Sequence, residues 1–129
     1  MLDTFFIAAP EGTAWPLDID TVDQRLQERF PGMRGWIKQA PSTGEDYLSF
    51  DLELHGSTRT GAYYTGRNLI LRDGDESDWA PTIAWFLSLL PPGTPVVTMR
   101  ETNPDQIVPL PCDGSAAQIQ DVLAGLAIE

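Results

Sequence analysis

Eleven prolines and eleven glycines cut this chain of 129 residues into short pieces, so its fold must be assembled from short elements joined by tight turns. Pro31-Gly32 and Pro91-Pro92-Gly93 are the strongest stops. Ahead of the first, Ile19, Val22, Leu26 and Phe30 recur at steps of three and four, which predicts an amphipathic helix of about three turns. Ahead of the second, Trp79 to Leu90 is apolar nearly all round, with Ile83 to Leu90 interrupted only by Ser88. A helix apolar on two sides must be covered on two sides. Pro81 is compatible with it if it falls in the first turn, with Ser77 or Asp78 as N-cap.

Strands fill the intervals. In Tyr47 to His55, Leu48, Phe50, Leu52 and Leu54 alternate with Ser49, Asp51, Glu53 and His55, the pattern of a strand with one buried and one wet face. Gly56-Ser57 and Gly66-Arg67 turn the chain into Thr58 to Tyr64 and then Asn68 to Arg72, an antiparallel meander. Met33 to Gln39 reads as a strand before it, and residues 4 to 8 as a short strand or packed arm. Val96 to Arg100 and Gln106 to Leu110 form a hairpin across Thr102 to Asp105, with Pro109 marking an edge. Ser115-Ala-Ala-Gln118 matches a capping box and opens a last helix on Ile119, Val122, Leu123 and Leu126. The expectation is one α+β domain over residues 1–129, with three helices and an antiparallel sheet of about five or six strands.

The formal net charge of −11 is uneven. Residues 1–24 hold Asp3, Glu11, Asp18, Asp20 and Asp23 with no base, and residues 101–129 hold Glu101, Asp105, Asp113, Asp121 and Glu129 with none. If the termini meet, these acids form one negative face that repels nucleic acid and anionic lipid and speeds encounter with a basic protein. The single cysteine, Cys112, cannot form an internal disulfide, and the apolar run Phe5 to Ala9 is too short for a signal peptide, so a cytoplasmic location is expected and no membrane.

Catalytic patterns are sparse. Asp73, Asp75 and Ser77 have the spacing of a calcium loop, but Asp78 and Ala84 occupy the positions that need Gly and Glu, which leaves acids complementing a helix N-terminus. His55, the only histidine, shares the polar strand face with Asp51 and Glu53, a possible acid–base group or simply a solvated face. No glycine pattern cradles a phosphate, and neither cofactor nor metal is expected. Trp36 and Trp79 read as core. Trp85 points away from the Ile83 and Leu87 stripe, so either a terminal segment covers it or Trp85 and Leu89, with Trp79 on the same helix, line a contact with another chain.

The succession helix, three strands, helix, two strands, helix over residues 18–127 resembles the class I secretion chaperones and the broader chaperone-like α/β sandwich of the YbjN type. That resemblance implies a dimer built on the second helix and the neighbouring strand. The proline-rich loops and the long N-terminal arm depart from it. Small acidic immunity proteins fit equally. The expectation is a protein-binding module or homodimer without catalytic activity; the alternatives are a small enzyme using carboxylates and His55, or an assembly or phage-related subunit.

Overall fold

Phe5 and Ile7 lie on one face of the N-terminal strand and Phe6 and Ala8 on the other, so the segment is apolar on both faces, and it pairs on both sides in the middle of the sheet. The computed structural model describes residues 3–126. In chain order they form β1 (Asp3–Ala8), α1 (Ile19–Arg29), β2 (Arg34–Gln39), β3 (Asp46–Leu54), β4 (Ser57–Tyr64), β5 (Asn68–Gly74), α2 (Glu76–Leu87), β6 (Val97–Arg100), β7 (Asn103–Pro109) and α3 (Ala116–Gly125). The fold is α+β, and its seven strands lie in the order β2-β3-β4-β5-β1-β6-β7. Every neighbouring pair is antiparallel. The sheet has more strands than the pattern predicted because β1 is a full member of it. It joins the β2–β5 meander to the β6–β7 hairpin.

Cross-strand partners share a face, so the register sorts the side chains. Phe5, Leu71, Gly61 and Phe50 form one row, and Ile7, Leu69, Tyr63 and Leu48 another. Apart from Gly61 these are the buried core. All three helices cover this face: α1 lies over β3 and β4, α2 over β5, and α3 against α2 and β6. The middle helix is therefore covered on both flanks as well as below. Trp79, Ile83, Phe86 and Leu87 are buried. Trp85 is half-buried and packs edge-on to Phe30, the C-cap of α1, with ring centroids 6.2 Å apart and the Arg29 guanidinium over both rings. Its position between two helices accounts for the all-round apolar character of α2.

Several sequence expectations change. The N-cap of α2 is Asp75, not Ser77 or Asp78, because Asp75 and Asp78 form a reciprocal capping box. Pro81 then falls in the second turn, where it and Ser77 are both exposed and water can serve the carbonyl that loses its partner. Trp36 is not core but 45 % exposed, because β2 is an edge strand. The last hairpin turns at Glu101-Thr102, earlier than predicted. The described ends of the chain do come together, since Arg100 joins Asp3 to the Leu123 carbonyl and Asn103 donates to the Leu126 carbonyl, but Asp3 is buried in that pairing and Asp18 caps α1, which lies over β3 and β4. Among the described residues no helix is long and apolar enough to cross a membrane.

Gly61 sits in a strand interior for a packing reason. A Cβ there would lie 2.5 Å from the Phe50 ring and 2.9 Å from the Ile70 carbonyl oxygen. The Phe50 ring occupies the space that a side chain would need. Gly61→Ala is therefore expected to cost about 1–3 kcal/mol, read as a lowered denaturant midpoint in urea.

Candidate functional site

The polar residues singled out in the sequence do not converge. His55 has φ 52° and Gly56 φ 79°, so both belong to the two-residue turn between β3 and β4 and His55 is not on the strand. From there its Nδ1 reaches Asp78 Oδ1 at 3.0 Å. Asp78 also receives Arg59 at 3.4 Å and the Asp75 backbone N–H at 3.0 Å. The His55 side chain is 67 % exposed to solvent. Asp51 and Glu53 instead line a polar hollow of about 460 Å³ with Arg29, Arg34 and the α1–β2 loop, and His55 is not among its lining residues. The three residues proposed to act together are split between two places.

The acids before α2 serve the helix. Asp75 accepts the Ser77 hydroxyl at 2.7 Å and the Asp78 backbone N–H at 2.9 Å. These hydrogen bonds, the one from the Ser77 side chain foremost, hold its carboxyl below the usual aspartate value. Among the described residues no cluster of three metal-ligating side chains occurs. Cys112 is partly buried, with its thiol 3.9 Å from the Leu87 and Pro91 carbonyl oxygens.

The apolar candidates separate as well. Trp79 is fully buried, donates its indole N–H to the Arg72 carbonyl at 3.2 Å, and so presents nothing to a partner. Trp85 and Leu89 line a shallow groove between α1 and α2 together with Arg25, Glu28 and Arg29. Of the three, only these two reach the surface, and only in part.

Among the described residues no helix lies over the opposite face of the sheet. Its central row runs Trp36, Ser49, Ala62, Ile70, Phe6 and Met99 across six strands. The next row runs Lys38, Tyr47, Tyr64, Asn68, Ala8 and Val97. Tyr47 and Tyr64 stack with centroids 4.8 Å apart. Toward β7, Phe6, Ala8, Val97, Met99 and Ile107 line an apolar hollow of about 170 Å³, and Ile107 is 60 % exposed. A wet sheet face ordinarily alternates polar residues outward; this one has aromatic and aliphatic side chains running from β2 to β7. No protein family, curated protein or solved structure matches the chain. Its own geometry is the guide to its function.

The signal for this face lay in the sequence. Phe6, Tyr64, Ile70 and Met99 each occupy the outward position of a strand, where a solvated sheet would carry Thr, Lys or Glu. The continuous apolar runs Phe5–Ala9 and Leu69–Leu71 mark strands apolar on both faces.

Proposed function

We propose that this protein is a binding module, of adaptor or immunity type, that docks a partner protein on its uncovered sheet face. The observation that carries the reading is the apolar row from Trp36 to Met99 with Ile107 beside it, on a face that no element of the described chain covers. Trp36 and Ile107 stand exposed toward its two ends, Phe6 and Met99 are half-buried, and Ala62 and Ile70 between them are closed off by their neighbours. Exposed apolar surface marks interaction sites, and aromatic residues are enriched at interface centres. The separation of His55 from Asp51 and Glu53 favours binding over acid–base chemistry. The net charge of −11 repels nucleic acid and favours a protein partner.

Met99→Asp combined with Ile107→Asp tests the reading, because both side chains lie on this face and neither belongs to the helix-side core. The tagged double variant, shown by its melting transition to be folded, is expected to lose partners that the wild type retrieves from a native lysate. Equal recovery by both proteins, or specific recovery by neither, contradicts the reading.

A further inference from the structure

The two edges of the sheet are built differently. β7 carries Pro104, Asp105 and Pro109, with an irregular register against β6, the usual protections of a free edge. β2 has no proline, and all six of its residues are exposed, with Trp36 at 45 % and Ile37 at 57 %. Its hydrogen-bonding phase follows from the hairpin end. The Ala40 N–H donates to the Glu45 carbonyl at 2.8 Å, so Ala40 and Glu45 are a hydrogen-bonded pair in the β2–β3 register. Such pairs alternate. Arg34, Trp36 and Lys38 therefore direct their backbone groups to β3, and Gly35, Ile37 and Gln39 direct theirs outward from the sheet.

We propose that β2 pairs antiparallel with β2 of a second copy of this chain, with Ile37 facing Ile37 on the twofold axis. Charge selects this register. Placing Trp36 on the axis would set Arg34 opposite Lys38 of the other copy, twice, and directly opposed like charges destabilise a sheet. With Ile37 on the axis, Lys38 of each copy lies opposite Trp36 of the other, a cation–π arrangement, and Arg34 faces Ala40. Gln39 then falls opposite Gly35, where Asp23 Oδ1 stands 3.1 Å from the position that a Cβ would take and can accept from the glutamine amide. The pairing is isologous, joins Gly35, Ile37 and Gln39 of each copy to the same residues of the other, and covers the outer flank of Trp36 and Ile37. It also makes the two uncovered sheet faces one continuous surface, but it stands without the proposed function.

The experiment is sedimentation over a wide concentration range on wild type, Ile37→Pro and Ile37→Lys, with melting curves for each. Because the Ile37 N–H points outward, proline there removes no β2–β3 hydrogen bond. Lysine keeps the strand and sets two like charges together on the axis. Wild type is expected to dimerise reversibly, and each variant to weaken the dimer about a hundredfold or more; should Ile37→Pro fail to fold, Ile37→Lys decides. In hydrogen exchange, the Gly35, Ile37 and Gln39 amides should slow only at dimeric concentrations, whereas those of Trp36 and Lys38 are slow throughout. A wild type monomeric at the highest concentration, or a dimer that Ile37→Lys leaves intact, overturns the proposal.

Discussion

Arg100→Ala is expected to destabilise the protein by about 3–5 kcal/mol in urea unfolding at neutral pH. Arg100 and Asp3 are 5 % and 2 % exposed at the side chain, and Arg100 Nε donates to Asp3 Oδ2 at 2.8 Å. Arg100 also donates to the Leu123 carbonyl at 3.3 Å and lies over the Phe5 ring, so one guanidinium ties β1, β6 and α3 together. Among the described residues, removing it leaves a buried carboxylate with Thr102 and the Thr4 amide as its hydrogen-bond partners. The pH dependence gives the effect a signature. Burial alone would raise the Asp3 pKa, but hydrogen bonds from Thr102, Arg100 and Thr4 outweigh it and hold the value below 3.8. A depressed carboxylate contributes stability that is present above 3.8 and is lost as pH falls through the lowered value. Without Arg100 the buried carboxylate becomes a liability that protonation relieves. The gap between wild type and variant should therefore narrow toward acid pH.

Trp79→Ala is expected to cost a similar amount, about 3–5 kcal/mol, measured the same way. Trp79 is fully buried, its indole N–H is bonded to the Arg72 carbonyl, and Gly74 lies so close that a Cβ there would stand 2.6 Å from Nε1. Its loss leaves a cavity beneath the start of α2 and an unpaired carbonyl. Trp36→Ala, at an exposed edge, should change the stability of the monomer, measured at low concentration, by only a few tenths of a kcal/mol. The same pair of substitutions separates the roles of the two tryptophans: Trp79 holds the core, and Trp36 belongs to the surface.

The sequence revealed the elements more readily than their assembly. Tyr47–Leu54 alternates cleanly because one side of β3 faces helices, and α1 and α3 announce themselves by stripe and cap. The place of β1 was not legible, since a five-residue apolar run looks the same in a peripheral arm and in a central strand; only its pairing with both β5 and β6 distinguishes them. His55 illustrates the same limit at the level of a site. Period two assigns it to the face of Asp51 and Glu53, but His-Gly is also a two-residue hairpin turn with positive φ, and the turn chemistry prevails. Most of the apolar helix at 79–90 is buried between α1 and α3, which accounts for its composition, while Trp85 and Leu89 keep a partly open edge beside α1. The uncovered surface is the sheet, where apolar outward positions on separate strands become contiguous only once the strand order is known.

Site-specific photo-crosslinking from position 107 and from position 89 tests the central claim most directly, with the crosslinking residue introduced singly at Ile107 on the sheet face and at Leu89 on the helical side. In native lysate the account predicts a discrete adduct from position 107 and none from position 89. An adduct from position 89 alone, or none from either, would contradict it.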